Sequence, residues 1–183
     1  MKKILILAVS FFVLFGCMET EKPKAKKTTP TPVIKDLTPK GWVYETKEDK
    51  MDGSKKYWAS VFSTNMIGFK FMDAQSWFVL TVRNLDKKND VMLVMRNELA
   101  GQFMPSLYSP YKTCRVKFDN APPVNFGYNS NTSDGSSHMI FFLNSQKFIT
   151  NLKTAEKLMI ECEFYQEGKQ IIEFNVKGLE WNR

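Results

Sequence analysis

Histidine is nearly missing: the chain of 183 residues holds one, His138, alongside three cysteines. A zinc site gathers three or four nitrogen, sulfur or carboxylate ligands, so a single imidazole with so few thiols predicts no metal. There is no Gly-x-Ser-x-Gly, no glycine-rich phosphate loop and no EF-hand loop. These absences remove the usual signatures of serine hydrolases, nucleotide binders and calcium sensors. No cofactor is expected. Long apolar runs are also missing. The longest, Ile4–Phe15, falls short of the roughly 20 residues that span a bilayer. No repeat with a period of roughly 20–50 residues is visible, which excludes solenoids and propellers.

The short apolar run has a use of its own. It follows Met1-Lys2-Lys3 and ends in Leu14-Phe15-Gly16-Cys17. A cationic start, a run of this length and a small residue before the cut make a secretory signal. Leu-x-Gly-Cys at its end resembles the bacterial lipobox. That resemblance implies cleavage between Gly16 and Cys17 and lipidation of Cys17. Stable anchoring takes two acyl chains or more, which a lipoprotein carries. Met18 follows, not the aspartate that holds many lipoproteins at an inner membrane. The expected location is therefore the envelope, at the outer membrane, with the domain in the periplasm or at the surface.

Residues 17–40 contain almost nothing large. Lysines, threonines and prolines dominate, with Thr28-Thr29-Pro30-Thr31-Pro32 in the middle. Such a segment cannot build a core and reads as an extended tether. It also holds much of the net charge of +7. Six lysines against Glu19, Glu21 and Asp36 put +3 on residues 18–40, and +2 remains on residues 41–183. A nucleic-acid module concentrates charge on its folded part, so no nucleic-acid partner is expected. Residues 1–16, 17–40 and 41–183 thus read as signal, tether and domain.

The domain has a β pattern. Trp42–Tyr44, Lys56–Ser63, Trp77–Val82, Val91–Met95, Met139–Leu143, Leu158–Phe164 and Gln170–Val176 are apolar or alternating runs of strand length bounded by turn residues. Cys114-Arg115-Val116-Lys117-Phe118 alternates with period 2. Residues 97–112 read as irregular, and Asp119–Asp134 as a long polar loop. The period changes once. Asn144 or Ser145 can cap a short helix over about 145–155, with Phe148, Ile149, Leu152 and Ala155 on one side. Seven or eight mainly antiparallel strands with one small helix predict an all-β fold, a β-sandwich. Aromatics make up 14% of the chain, with 15 phenylalanines, which suits a well-buried β core. With Cys17 lipidated, Cys114 and Cys162 are left as a pair. In an oxidising compartment two thiols on strand-like segments predict one disulfide.

Catalytic groupings are weak. Ser136-Ser137-His138 are sequence neighbours, and adjacent residues on a strand face opposite ways. Ser109-Pro110-Tyr111-Lys112 matches Ser-x-x-Lys in form, but Pro110 and the approaching strand oppose the helix that motif needs. Asp119 with Asp134, or Asp49 with Asp52, could be paired carboxylates, though no spacing requires them to meet. Asp119 is expected as a turn residue or as the ion-pair partner of Arg115 or Arg83. The binding candidates are rings and polar groups on loops: Phe103, Tyr108 and Tyr111 in one irregular segment, Asp119 at the next turn, Phe126 and Tyr128 in the long Asn/Ser loop. Tyrosine among Asn and Ser suits a protein or glycan surface.

Residues 113–181 carry a family resemblance. Cys114-Arg115-Val116-Lys117-Phe118-Asp119-Asn120-Ala121-Pro122-Pro123, Ser133-Asp134-Gly135, Phe148-Ile149-Thr150-Asn151-Leu152, Ala155-Glu156-Lys157-Leu158 and Phe174-Asn175-Val176-Lys177-Gly178-Leu179 occur in the order and spacing of TagO/VasI-type proteins, which are associated with type VI secretion. The strand Leu80-Thr81-Val82-Arg83 departs from that family by ending in Asn84, not cysteine. The resemblance implies a β-rich envelope domain and a secretion accessory. The expectation is a non-enzymatic, lipid-anchored binding domain. The alternatives are an exclusion or inhibitor lipoprotein, and a cell-wall-active enzyme working through Asp119, Asp134 and His138.

Overall fold

Alternation becomes burial along most strands, the exceptions being the exposed first strand and a central strand buried on both faces. The computed structural model describes residues 40–104, 112–130 and 138–183, and the expected signal peptide, Cys17 and all but the last residue of the tether lie outside them. The strands are β1 (Val43–Glu48), β2 (Lys55–Phe62), β3 (Ile67–Phe69), β4 (Ala74–Ser76), β5 (Phe78–Leu85), β6 (Lys88–Met95), β7 (Thr113–Phe118), β8 (Val124–Ser130), β9 (Met139–Phe142), β10 (Lys157–Phe164) and β11 (Gly168–Asn175). The helix α1 (Ser145–Leu152) stands between β9 and β10. The all-β class with one short helix is as the sequence predicts.

Nine strands hydrogen-bond as one sheet in the order β1-β2-β5-β6-β9-β8-β7-β10-β11, and β3 with β4 forms a separate hairpin. Every pairing is antiparallel. The large sheet curls over a single core. Phe78 of β5 and Phe164 of β10 are five places apart in strand order, yet their rings meet at 5.7 Å. The two ends of the sheet also approach each other. Ser63, just past β2, bridges to Phe174 of β11, Thr64 N–H donates to Glu173 O at 2.7 Å, and Trp42 Nε1 donates to Val176 O at 2.9 Å.

The core holds two aromatic groups. Phe69, Phe78, Phe103 and Phe164 form one, with centroids 4.9–6.1 Å apart. Phe118, Phe126, Phe142 and Phe148 form the other, at 4.7–6.5 Å. Edge and offset ring pairs of this kind stabilise by about 1 kcal/mol each beyond area burial. Helix α1 supplies Phe148, Ile149 and Leu152 to the core. The capping expectation is corrected. Asn144 adopts a left-handed φ of 56° and makes no side-chain cap bond, while Ser145 Oγ donates to Phe142 O and accepts from Val91 N–H. The hydroxyl ties the helix to β6 instead of capping it.

Cys114 and Cys162 form a disulfide with their Cα atoms 4.7 Å apart. The β7–β10 register pairs Val116 with Ile160, and continuing it places Cys114 directly opposite Cys162. That separation matches a non-hydrogen-bonded antiparallel pair, where side chains stand closest. Both residues are buried.

Candidate functional site

A groove of about 310 Å³ opens where three connections converge. The β3–β4 hairpin presents Phe71 and Met72 at its tip. The segment after β6 contributes Glu98, Leu99, Ala100, Gly101 and Gln102. The β10–β11 turn brings Tyr165 and Glu167, and His138 enters beside β9. Phe71 is 72% exposed, Met72 51% and Leu99 79%. Large apolar side chains left together in water around one concavity are what marks a recognition surface.

Hydrogen bonds tie the wall's segments together. Phe71 N–H donates to Glu167 Oε1 at 2.6 Å, tying the hairpin tip to the turn. Asn97 N–H donates to Ser76 Oγ at 2.9 Å, and Asn97 Nδ2 to Gln75 O at 3.1 Å. Tyr165 N–H donates to Gln102 O at 3.0 Å. His138 Nε2 lies 3.3 Å from Glu98 Oε1, and Met95 N–H donates to the His138 carbonyl at 2.8 Å. Gly101 is required by close approach, since a Cβ there would stand 2.5 Å from Phe69 Cδ1. Among the described residues, the ionisable lining side chains are Glu98, Glu167, His138 and Tyr165, with no Lys or Arg.

A second groove, of about 540 Å³, carries charged residues of both signs, including Lys117, Asp119, Glu156, Lys157, Glu173 and Lys177. Three of its charged groups, Asp119, Glu156 and Lys177, already have partners. Asp119 Oδ1 accepts from the backbone N–H of Glu156 at 3.0 Å and of Lys157 at 2.8 Å, and Asp119 N–H donates to Lys157 O at 2.9 Å. Lys177 Nζ pairs with Glu156 Oε1 at 2.6 Å, which raises the lysine pKa through that hydrogen bond and charge. Asp119, at φ 47°, therefore latches the β7–β8 turn to the entry of β10.

The sequence candidates separate on this frame. Phe103, Phe126 and Tyr128 are 1%, 4% and 4% exposed, so they are core rings and not loop contacts. Phe103 stacks on Phe164 and bridges its backbone to it. Phe126 and Tyr128 lie on β8, a strand where a polar loop is expected from the Asn and Ser content. Burial raises the Tyr128 phenol pKa above its ordinary value, helped by the Glu163 charge. Tyr108, Tyr111 and Asp134 lie outside the described residues. The ion pairs expected of Asp119 are corrected: Arg83 pairs with Asp90 at 3.0 Å and Arg115 with Glu161 at 3.3 Å, both from directly or nearly opposed strand positions. Asp119 and His138 line different grooves. The residues sequence reasoning missed are Phe71, Met72 and Leu99. No signal in the sequence set them apart, because the strands that flank Phe71 and Met72 are three residues each.

No family model matches the chain, and no curated protein does either. Among solved structures, invasion associated protein B from Bartonella henselae is similar at a TM-score of 0.45 and 12% identity, covering 75% of this chain and 84% of that one.

Proposed function

We propose that this chain is a lipid-anchored envelope protein whose β domain binds a protein partner without catalysis, through the groove between Phe71, Met72 and Leu99. The observation that carries the reading is the exposure of those three side chains around one concavity. The lipobox-like Leu14–Cys17 supports the anchor, and the TagO/VasI-like stretches over 113–181 support a secretion accessory role. The groove chemistry specifies the occupant. Apolar walls rimmed by Glu98 and Glu167, with no lysine or arginine among the described lining residues, suit a protein segment that inserts an apolar side chain flanked by Lys or Arg.

Two measurements test this. Palmitate labelling of the wild type, lost in Cys17→Ser, is the expected result for the anchor; labelling that persists in the variant refutes it. For the groove, a photo-crosslinking residue replaces Leu99 in cells, and the adduct is mapped by mass spectrometry. The expected adduct is one protein, joined at an apolar residue next to Lys or Arg, and purified partner binds Phe71→Ser at least about tenfold more weakly. Unchanged affinity of Phe71→Ser, or adducts confined to lipid or glycan, refutes the assignment.

A further inference from the structure

Strand β1 ends the nine-stranded sheet, and its hydrogen-bonded neighbour is β2. All six of its residues are exposed. Asp49 N–H donates to Ser54 O at 2.8 Å just beyond the strand. By the antiparallel alternation, Val43, Glu45 and Lys47 then bond to β2, while Tyr44, Thr46 and Glu48 aim their backbone N–H and C=O groups at the open edge. An edge of this kind pairs with any strand whose side chains permit it.

From the charges on this edge we infer that β1 pairs with β1 of a second copy, antiparallel, about a two-fold axis at Thr46. Antiparallel pairing sets outward-bonding residues opposite outward-bonding residues, so the axis must fall on a residue. Placed at Glu45, it sets Glu45 against its own copy. Placed at Lys47, it sets Lys47 against its copy and Glu45 against Asp49. Placed at Thr46, it sets Glu45 against Lys47 twice, Thr46 against Thr46, and Tyr44 against Glu48. Opposite charges directly across a ladder stabilise, and like charges destabilise. Glu45 and Lys47 share the outer face: their side chains pair at 3.0 Å within the chain, and Lys47 Nζ lies 5.5 Å from the Trp58 ring centroid. In the pair, these four charges alternate in sign. The same patch meets itself, which is the isologous contact of a two-fold dimer and closes without forming fibres. This inference is independent of the groove.

The test uses two epitope-tagged copies of the full chain, co-expressed and extracted in mild detergent. Wild-type copies co-purify. Glu45→Lys with itself, and Lys47→Glu with itself, set like charges across the axis and reduce co-purification about tenfold. Co-expressing Glu45→Lys with Lys47→Glu restores it, because each lysine again faces a glutamate. Thr46→Pro removes an outward N–H without touching the β1–β2 ladder and also abolishes pairing. Wild-type copies that do not co-purify, single variants that pair as the wild type does, or failure of the mixed variants to recover would each overturn the inference.

Discussion

Replacing Cys114 and Cys162 together with alanine, in a Cys17→Ser background, removes the one crosslink between β7 and β10. The sequence separation is 48. A loop of that length loses closure entropy worth about 4 kcal/mol in the unfolded chain. Both sulfurs are buried, so deleting them adds on the order of 1 kcal/mol each for lost contacts and small voids. The double variant is therefore expected to lose about 5–6 kcal/mol, a large share of the roughly 5–15 kcal/mol that holds an ordinary domain folded. Reducing the wild type separates the two contributions, since it opens the loop and leaves the sulfurs in place. Reduction alone is expected to cost about 4 kcal/mol, or about 8–16 °C in Tm for a chain of this size. Urea unfolding with and without reductant reads both quantities. The m-value rises in the reduced protein as the unfolded chain expands. A change below about 1 kcal/mol on reduction, or two thiols open to alkylation in native unreduced protein, would refute the reasoning.

Gly101→Ala drives a methyl into the Phe69 ring, which is buried and packed on Phe164 at 5.3 Å. Urea unfolding is expected to show a loss of about 1–3 kcal/mol, recovered in part by Phe69→Leu. Asp119→Ala removes an acceptor for two backbone amides and leaves alanine at a left-handed φ. The expected loss is about 2–3 kcal/mol, against about 1 kcal/mol for Asp119→Asn, which keeps an acceptor and tolerates that conformation. Equal losses for the two variants contradict the latch. The Asp49 carboxylate accepts from Met51 N–H and from Lys56, and its pKa lies below the ordinary 3.8. Its contribution is complete above that ordinary value and disappears as pH falls through the lower folded one. Asp49→Asn is expected to flatten this part of the acid limb, with the Asp49 carboxyl titrating in NMR below an unstructured aspartate. Burial raises the Tyr128 pKa above its ordinary 10.0. Stability at pH 7 is untouched by this and falls as pH rises past about 10, where the unfolded phenol ionises first. Tyr128→Phe is expected to remove that alkaline fall.

Strands with period-2 patterns were legible because burial follows the alternation. Cys114–Phe118 and Leu158–Phe164 are the clearest cases, and their facing cysteines are a direct result of that register. The span Val124–Ser130 hid a strand because Asn125, Gly127, Asn129 and Ser130 have the composition of a loop. Its periodicity resides in Phe126 and Tyr128 alone, and tertiary packing outweighs propensity there. The hairpin β3–β4 was invisible for a different reason, since three-residue strands are too short for a pattern to register. The groove was unreadable from the sequence because its residues come from four separated stretches. Exposed rings cannot be told from buried ones by type: Phe71 and Phe69 are two residues apart, one in water and one in the core.

The meeting of Ser63 with Phe174 and of Trp42 with Val176 also sets an order in time. A chain that emerges from its N-terminus makes the β1–β2 and β5–β6 hairpins early, from nearby residues. The edge of β2 beyond Phe62 must then wait for β11, more than a hundred residues later in synthesis. Until then an apolar face and an unpaired edge stand open, which is when a β protein is most exposed to wrong partners. Asn65 is placed to hold β11 once it arrives. Its side chain donates to Ile171 O and accepts from Glu173 N–H, so one amide group can fasten the last strand as it docks.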